Sequence, residues 1–109
     1  MYRSGRVDCR GILAGRLEET SDGFRFAYDA DYLADPNTPS ISLTLPKRRE
    51  PYTSSTLFPF FYGLLAEGVQ KEIQCRQLRI DEADHFGRLL RTAGSDTVGA
   101  VTVAEEKEA

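Results

Sequence analysis

The densest apolar stretch of the chain is Leu57 to Leu65, Leu-Phe-Pro-Phe-Phe-Tyr-Gly-Leu-Leu, where four aromatic residues fall within five consecutive positions. Leu57, Phe60, Phe61, Leu64 and Leu65 recur at i, i+3, i+4, i+7 and i+8, the stripe of an amphipathic helix. Phe58 and Tyr62 widen that stripe until little polar face remains. A helix apolar nearly all round must be buried nearly all round, and a chain of 109 residues has limited surface with which to bury it. The pattern therefore raises the question of a partner.

The first half reads with period two. Val7 to Arg10 alternates and breaks at Gly11; Ile12 to Leu17 resumes before an acidic end, Glu18-Glu19. Ser21-Asp22-Gly23 signals a turn into Phe24-Arg25-Phe26-Ala27-Tyr28, whose Phe24, Phe26 and Tyr28 share one sheet face. Asp29 to Pro39 is a turn-rich connection anchored by Tyr32 and Leu33. Ile41 to Leu45 alternates again and Pro46 ends it. Four short strands joined by tight turns predict an antiparallel meander.

The second half changes to helical spacing. Lys47 to Ser55 is a polar loop, Ser55 or Thr56 is placed to cap the aromatic helix, and Pro59 falls in its first turn. Glu67-Gly68 breaks that helix. Val69 to Leu78 puts Val69, Ile73 and Gln77 on one face, with Lys71, Glu72 and Arg76 opposite. Asp81 caps a third helix carrying Ala83, Phe86, Leu89 and Leu90, with Asp84 as its capping-box partner and Gly94 just past its end. Val98 to Val103 is a returning strand, and residues from about 104 to 109 form a charged, frayed tail. The expected fold is a small single α+β domain over residues 1–109, an antiparallel sheet of about four to five strands packed against about three helices.

Composition narrows the function classes. The chain is 40% hydrophobic and 28% charged with a net charge of −3, an ordinary globular balance without the basic footprint of a nucleic-acid binder. Direct nucleic-acid contact is not expected. No apolar run is long enough to span a membrane, and the basic N-terminus lacks the apolar segment of a signal peptide. Cys9 and Cys75 stand alone without CxxC spacing, which suits a reduced, cytoplasmic protein.

The chemistry of an enzyme is missing. Neither GxGxxG nor GxxxxGK occurs, and His85 is the single histidine, with no partner at metal-ligand spacing. No cysteine has a base nearby in sequence. The acidic pairs Glu18-Glu19 and Asp81-Glu82 read as strand-end and helix-cap residues. No cofactor, metal or small-molecule substrate is called for. Lys47-Arg48-Arg49 is the one basic cluster and has two readings, a solvated loop or a contact with an acidic or phosphate-bearing partner surface. The aromatic helix also has two: wholly core, or core with Phe58 and Tyr62 projecting at an interface. The candidate partner-binding residues are Phe58, Tyr62, Glu67, Lys47, Arg48 and Arg49.

The order of motifs resembles the opening of HipA-type toxin kinases. It is carried by Gly15-Arg16-Leu17-Glu18, Phe26-Ala27-Tyr28-Asp29, Tyr32-Leu33, the segment Pro39 to Pro46, the segment Pro59 to Gly68, and Gly94 to Val101. The family pattern closes the aromatic segment with Leu-Leu-Pro-Glu-Gly, whereas Ala66 stands here in place of the proline. HipA-type kinases continue into a core with an ATP-binding loop, a catalytic aspartate and metal ligands, none of which is present here. A freestanding copy resembles HipS, the small component of tripartite HipB–HipS–HipT systems. That resemblance implies an antitoxin that docks on a HipT-like kinase core and restrains it, with a HipB-like DNA-binding protein in the same complex. The alternative is the N-terminal structural subdomain of a full-length HipA-type kinase. A small-molecule binding module has only the aromatic cluster in its favour.

Overall fold

The computed structural model describes residues 2–93 and 100–106. Strand β1, Ser4–Cys9, turns into β2, Ile12–Thr20, through Arg10-Gly11. Both turn residues have positive φ, 52° and 81°, so the two-residue connection matches the twist of the strands it joins. Ser21-Asp22 then leads to β3, Gly23–Tyr28. Val7 pairs with Gly15 and Asp8 with Leu13, so Ala14 is an extra residue bulging from β2. Its carbonyl accepts from the Asp29 N–H at 2.8 Å and steers the chain into the short helix α1, Ala30–Ala34. Asp29 caps that helix, its carboxylate accepting from the Asp31 and Tyr32 N–H groups.

The segment from Ile41 to Leu45, expected as a strand, is instead a tight turn closed by the Ser42–Leu45 bridge. The Tyr28 hydroxyl decides this. It accepts from the Ile41 N–H at 3.1 Å and donates to the Leu45 carbonyl, so both ends of the segment point inward. Ile41 and Leu45 are buried while Leu43, at the tip, is fully exposed. Alternation is satisfied by a turn with its ends in the core, and no strand pairing is needed. The fourth strand, β4, is Tyr52–Ser54, inside the stretch expected as a polar loop. It pairs with β3 through Phe26–Tyr52 and Phe24–Ser54.

The aromatic segment is shorter as a helix than its spacing predicts. Only α2, Pro59–Tyr62, is α-helical; Phe58 is extended before it, and neither Ser55 nor Thr56 caps it. Gly63 ends the helix, and the Leu64 and Leu65 N–H groups bond back three residues to Phe61 and Tyr62. Helix α3 is Gly68–Leu78, as expected to within a residue. Helix α4 is His85–Thr92 and is capped by Asp84, not Asp81. Asp81 accepts from the Ala83 N–H in a turn that precedes the helix. The last strand, β5, is Val101–Glu105; the proposed C-terminal Gly94 and the start of the strand at Val98 lie outside the described residues. Ala104 and Glu105 complete β5, and the Glu106 N–H bonds to the Ser4 carbonyl, so the tail expected from residue 104 is structured to 106.

The five strands lie in the order β4-β3-β2-β1-β5, all antiparallel. One face carries Arg6, Asp8, Arg16 and Arg25 toward solvent. The other carries Val7, Leu17, Phe26 and Val103, all fully buried beneath Phe61, Phe86 and Leu89 from α2 and α4. Phe24, Phe26 and Tyr28 share that inner face as their alternation predicts. Phe26 meets Phe61 with ring centroids 5.6 Å apart, and Phe24 meets Phe86 edge-on at 5.4 Å. Cys9 and Cys75 are both buried free thiols.

Arg3 holds α4 to the sheet. Its guanidinium reaches Glu19 at 2.8 and 3.0 Å and Asp84 at 2.8 and 2.9 Å, a double bidentate contact. Asp84 in turn accepts from the Gly87 N–H, and this charge-assisted arrangement places the helix start at Asp84. The Arg3 guanidinium lowers the pKa of both carboxylates. Groups with depressed folded-state pKa contribute stability at neutral pH that is lost as pH falls through and below the ordinary carboxylate range, about 4. Urea melts between neutral pH and pH ~3 should therefore show a smaller pH-dependent loss in Arg3→Met than in the parent chain. Truncating Phe61, fully buried among three rings, to alanine should cost roughly 3–5 kcal/mol in the same melts.

Candidate partner-binding surface

The junction between α2 and α3 gathers the unusual side chains. Tyr62 ends α2 and is 43% exposed, its ring edge-on to His85 with centroids 5.0 Å apart. The His85 Nδ1 is buried and has no hydrogen-bond partner. Beyond Tyr62 the chain turns through Ala66, an extended Glu67 and Gly68, whose φ of +63° is left-handed and favours glycine. Glu67-Gly68, expected to break the aromatic helix, instead starts α3, because α2 has already ended at Gly63. Arg88, one turn into α4, reaches across and donates from Nη2 to the Ala66 carbonyl at 2.6 Å. It is 3% exposed, a buried cation with no ion pair among the described residues. The Ala66 carbonyl thus offsets part of the cost of burying this guanidinium.

Helix α3 is turned the unexpected way. Its one buried residue is Cys75, which lies outside the main core cluster. Val69 and Ile73, the apolar pair of its sequence pattern, are 70% and 47% exposed. Lys71, Gln74, Cys75 and Leu78, at i, i+3, i+4 and i+7, form the less exposed side. The helix thus packs on the domain with a largely polar stripe and offers its apolar residues to solvent, the reverse of a core-docked amphipathic helix.

Of the residues singled out by sequence, Tyr62 and Glu67 come together here, on the rim of one cavity. Phe58 does not project beside them. It is 7% exposed and packs on Phe61 at 6.2 Å, because an extended residue before a single helical turn points into the core rather than off a helix face. The basic run lies apart, on the loop leading to β4. Lys47 donates to the Asp35 and Thr38 carbonyls at 2.9 Å and to the Thr38 hydroxyl at 2.8 Å, buttressing the loop over Tyr32. Arg48 stacks on Tyr52 at 3.7 Å and donates to the Glu50 and Pro51 carbonyls. Arg49 alone remains simply exposed. Sequence reasoning missed Arg88; its sole signal is an arginine set among Phe86, Leu89 and Leu90. Among the described residues no group of three or more His, Cys, Asp or Glu is placed to hold a metal ion, and no helix is long and apolar enough to cross a membrane.

A family model described as the HipA N-terminal domain matches residues 5–104. The chain belongs to the HipA N-terminal domain family. The solved N-terminal domain of HipA toxin superposes with a TM-score of 0.74 at 36% identity, over 98% of this chain and 95% of that one. An uncharacterised protein of Haemophilus influenzae is 41% identical over 108 residues, which is 99% of this chain and 97% of that protein. "Putative kinase Y4mE" of Sinorhizobium fredii is 35% identical over 99 residues, which is 90% of this chain but 23% of that protein. The HipA N-terminal domain thus makes up nearly all of one relative and under a quarter of another.

Burial separates two neighbouring aromatics that sequence treats alike. Phe58→Ala should cost roughly 3–5 kcal/mol in thermal or urea melts, as a core truncation. Tyr62→Ala should cost less than about 1 kcal/mol, as a surface change.

Proposed function

We propose that this chain is the antitoxin component of a HipB–HipS–HipT-like system. It docks on a separately encoded HipT-like serine/threonine kinase core and inhibits it, in the cytoplasm, without chemistry of its own. A HipB-like DNA-binding protein completes the complex. The observation that carries this reading is the size of the relatives: a HipA N-terminal domain accounts for nearly the whole Haemophilus influenzae protein, so the domain occurs without a kinase core attached. Tyr62, Val69 and Ile73 support it, since they leave apolar surface uncovered.

The second reading is a structural subdomain at the N-terminus of a full-length HipA-type kinase. It is favoured by the match to Y4mE, where the same domain is 23% of a longer protein. The two readings place the domain against the same kind of kinase surface but differ in what it does there. As an antitoxin it suppresses the activity of the core; as a subdomain it supports it.

Co-expression with the kinase core encoded beside it distinguishes them. The expected result is a co-purifying complex, relief of growth arrest and lower autophosphorylation than the core shows alone. A core that is inactive until this chain is added supports the second reading and overturns the first. Within such a complex, Tyr62→Ala and Ile73→Asp should each weaken affinity by roughly 2 kcal/mol, as interface hot spots do. Melting of the free variants should stay near that of the parent.

A further inference from the structure

The cavity beside Arg88 has the makings of an anion site. Its volume is about 210 Å³, and Tyr62, Glu67, Gly68, Lys71 and Arg88 contribute to its wall. Three sources of positive potential open onto it. Among the described residues Arg88, 3% exposed, carries no ion pair and makes one side-chain hydrogen bond, from Nη2 to the Ala66 carbonyl, so Nε and Nη1 have no protein acceptor and keep some contact with solvent. Lys71 forms no ion pair among the described residues either. The third is the N-terminus of α3, eleven residues long, where Glu67 supplies no side-chain cap to the first N–H groups.

The charges set the class of ligand. Arg88 and Lys71 contribute +1 each, the α3 N-terminus roughly +0.5, and Glu67 −1, a local excess of about +1.5. A phosphate carries about −1.5 to −2 at neutral pH, and its oxygens match both the fork of a guanidinium and the backbone N–H groups of a helix start. A carboxylate carries less charge than the site leaves unbalanced. A bound dianion would give the Arg88 donors that lack a protein acceptor charge-assisted partners.

We propose that the Arg88–Lys71–α3 cavity binds a phosphate dianion, either free inorganic phosphate or the monoester of a phosphorylated side chain. This does not depend on the antitoxin reading, because it concerns the chain alone. Tyr62 and Gly68 both line the site, so an occupant there lies against the half-exposed Tyr62.

The test is a titration of the whole chain with inorganic phosphate at pH 7.5 and constant ionic strength, followed by the amide resonances of Gly68, Val69 and Gln70 and the Arg88 side-chain Nε–H. Saturable shifts of these four signals are expected. Lys71→Glu, a change at a half-buried position outside the apolar core cluster, should weaken binding roughly tenfold or more, in line with losing one charge-assisted contact and adding a repulsion. Arg88→Lys keeps the charge but not the fork, and should also weaken it. Phosphoserine in place of phosphate separates the two sources: tighter binding points to a monoester, equal or weaker binding to the free ion. Absence of saturation, equal binding in Lys71→Glu, or acetate binding as well as phosphate would each overturn the proposal.

Discussion

The contact on which the structure depends is that between Phe26 of β3 and Phe61 of α2, at a centroid distance of 5.6 Å. A sheet with one solvated face needs its other face covered, and in so short a chain there are few elements available to do it. Phe61 also meets Phe58 at 6.2 Å and Phe60 at 5.2 Å, so a single helical turn drives a cluster of rings onto the sheet. The shape of the surrounding chain follows from that insertion. Phe58 must arrive extended, and Leu65 must fold back to be buried.

Polar groups then organise what the apolar layer leaves irregular. The Tyr28 hydroxyl fastens both ends of the Ile41–Leu45 turn, and the Tyr32 hydroxyl donates to the Pro39 carbonyl at 2.5 Å. Arg3 ties β2 and α4 together through Glu19 and Asp84. The two tyrosines hold segments with little regular structure of their own, and Arg3 joins two regular elements. The domain thus stabilises its loops from beneath, by tyrosines and arginines rooted in or beside the sheet.

What could be read from sequence divides along the same line. The β1–β2–β3 meander, the shared face of Phe24, Phe26 and Tyr28 and the extent of α3 were legible, because period and turn chemistry are local. The Ile41–Leu45 turn was not, since a hydroxyl 13 residues away from Ile41 decides it. The start of α4 was not, since Asp84 is selected by Arg3 across 81 residues. Phe58 and Tyr62 are equivalent on a helical wheel, and they part company because the helix covers only one of them. At the candidate surface, Tyr62 and Glu67 carried a signal, whereas the burial of Arg88 depends on the crossing of α4 with the Ala66 turn.

The order of strands also bears on how the domain is made. β1 is synthesised first, yet its second neighbour is β5, paired through Val7–Val103 and Cys9–Val101. Until residues 101–105 leave the ribosome, β1 presents an open hydrogen-bonding edge beside a partly covered apolar face. Pairing between opposite ends of the chain has high contact order and closes slowly. The nascent domain therefore passes through a sheet that is one strand short, the stage at which chaperones or a waiting partner would meet it.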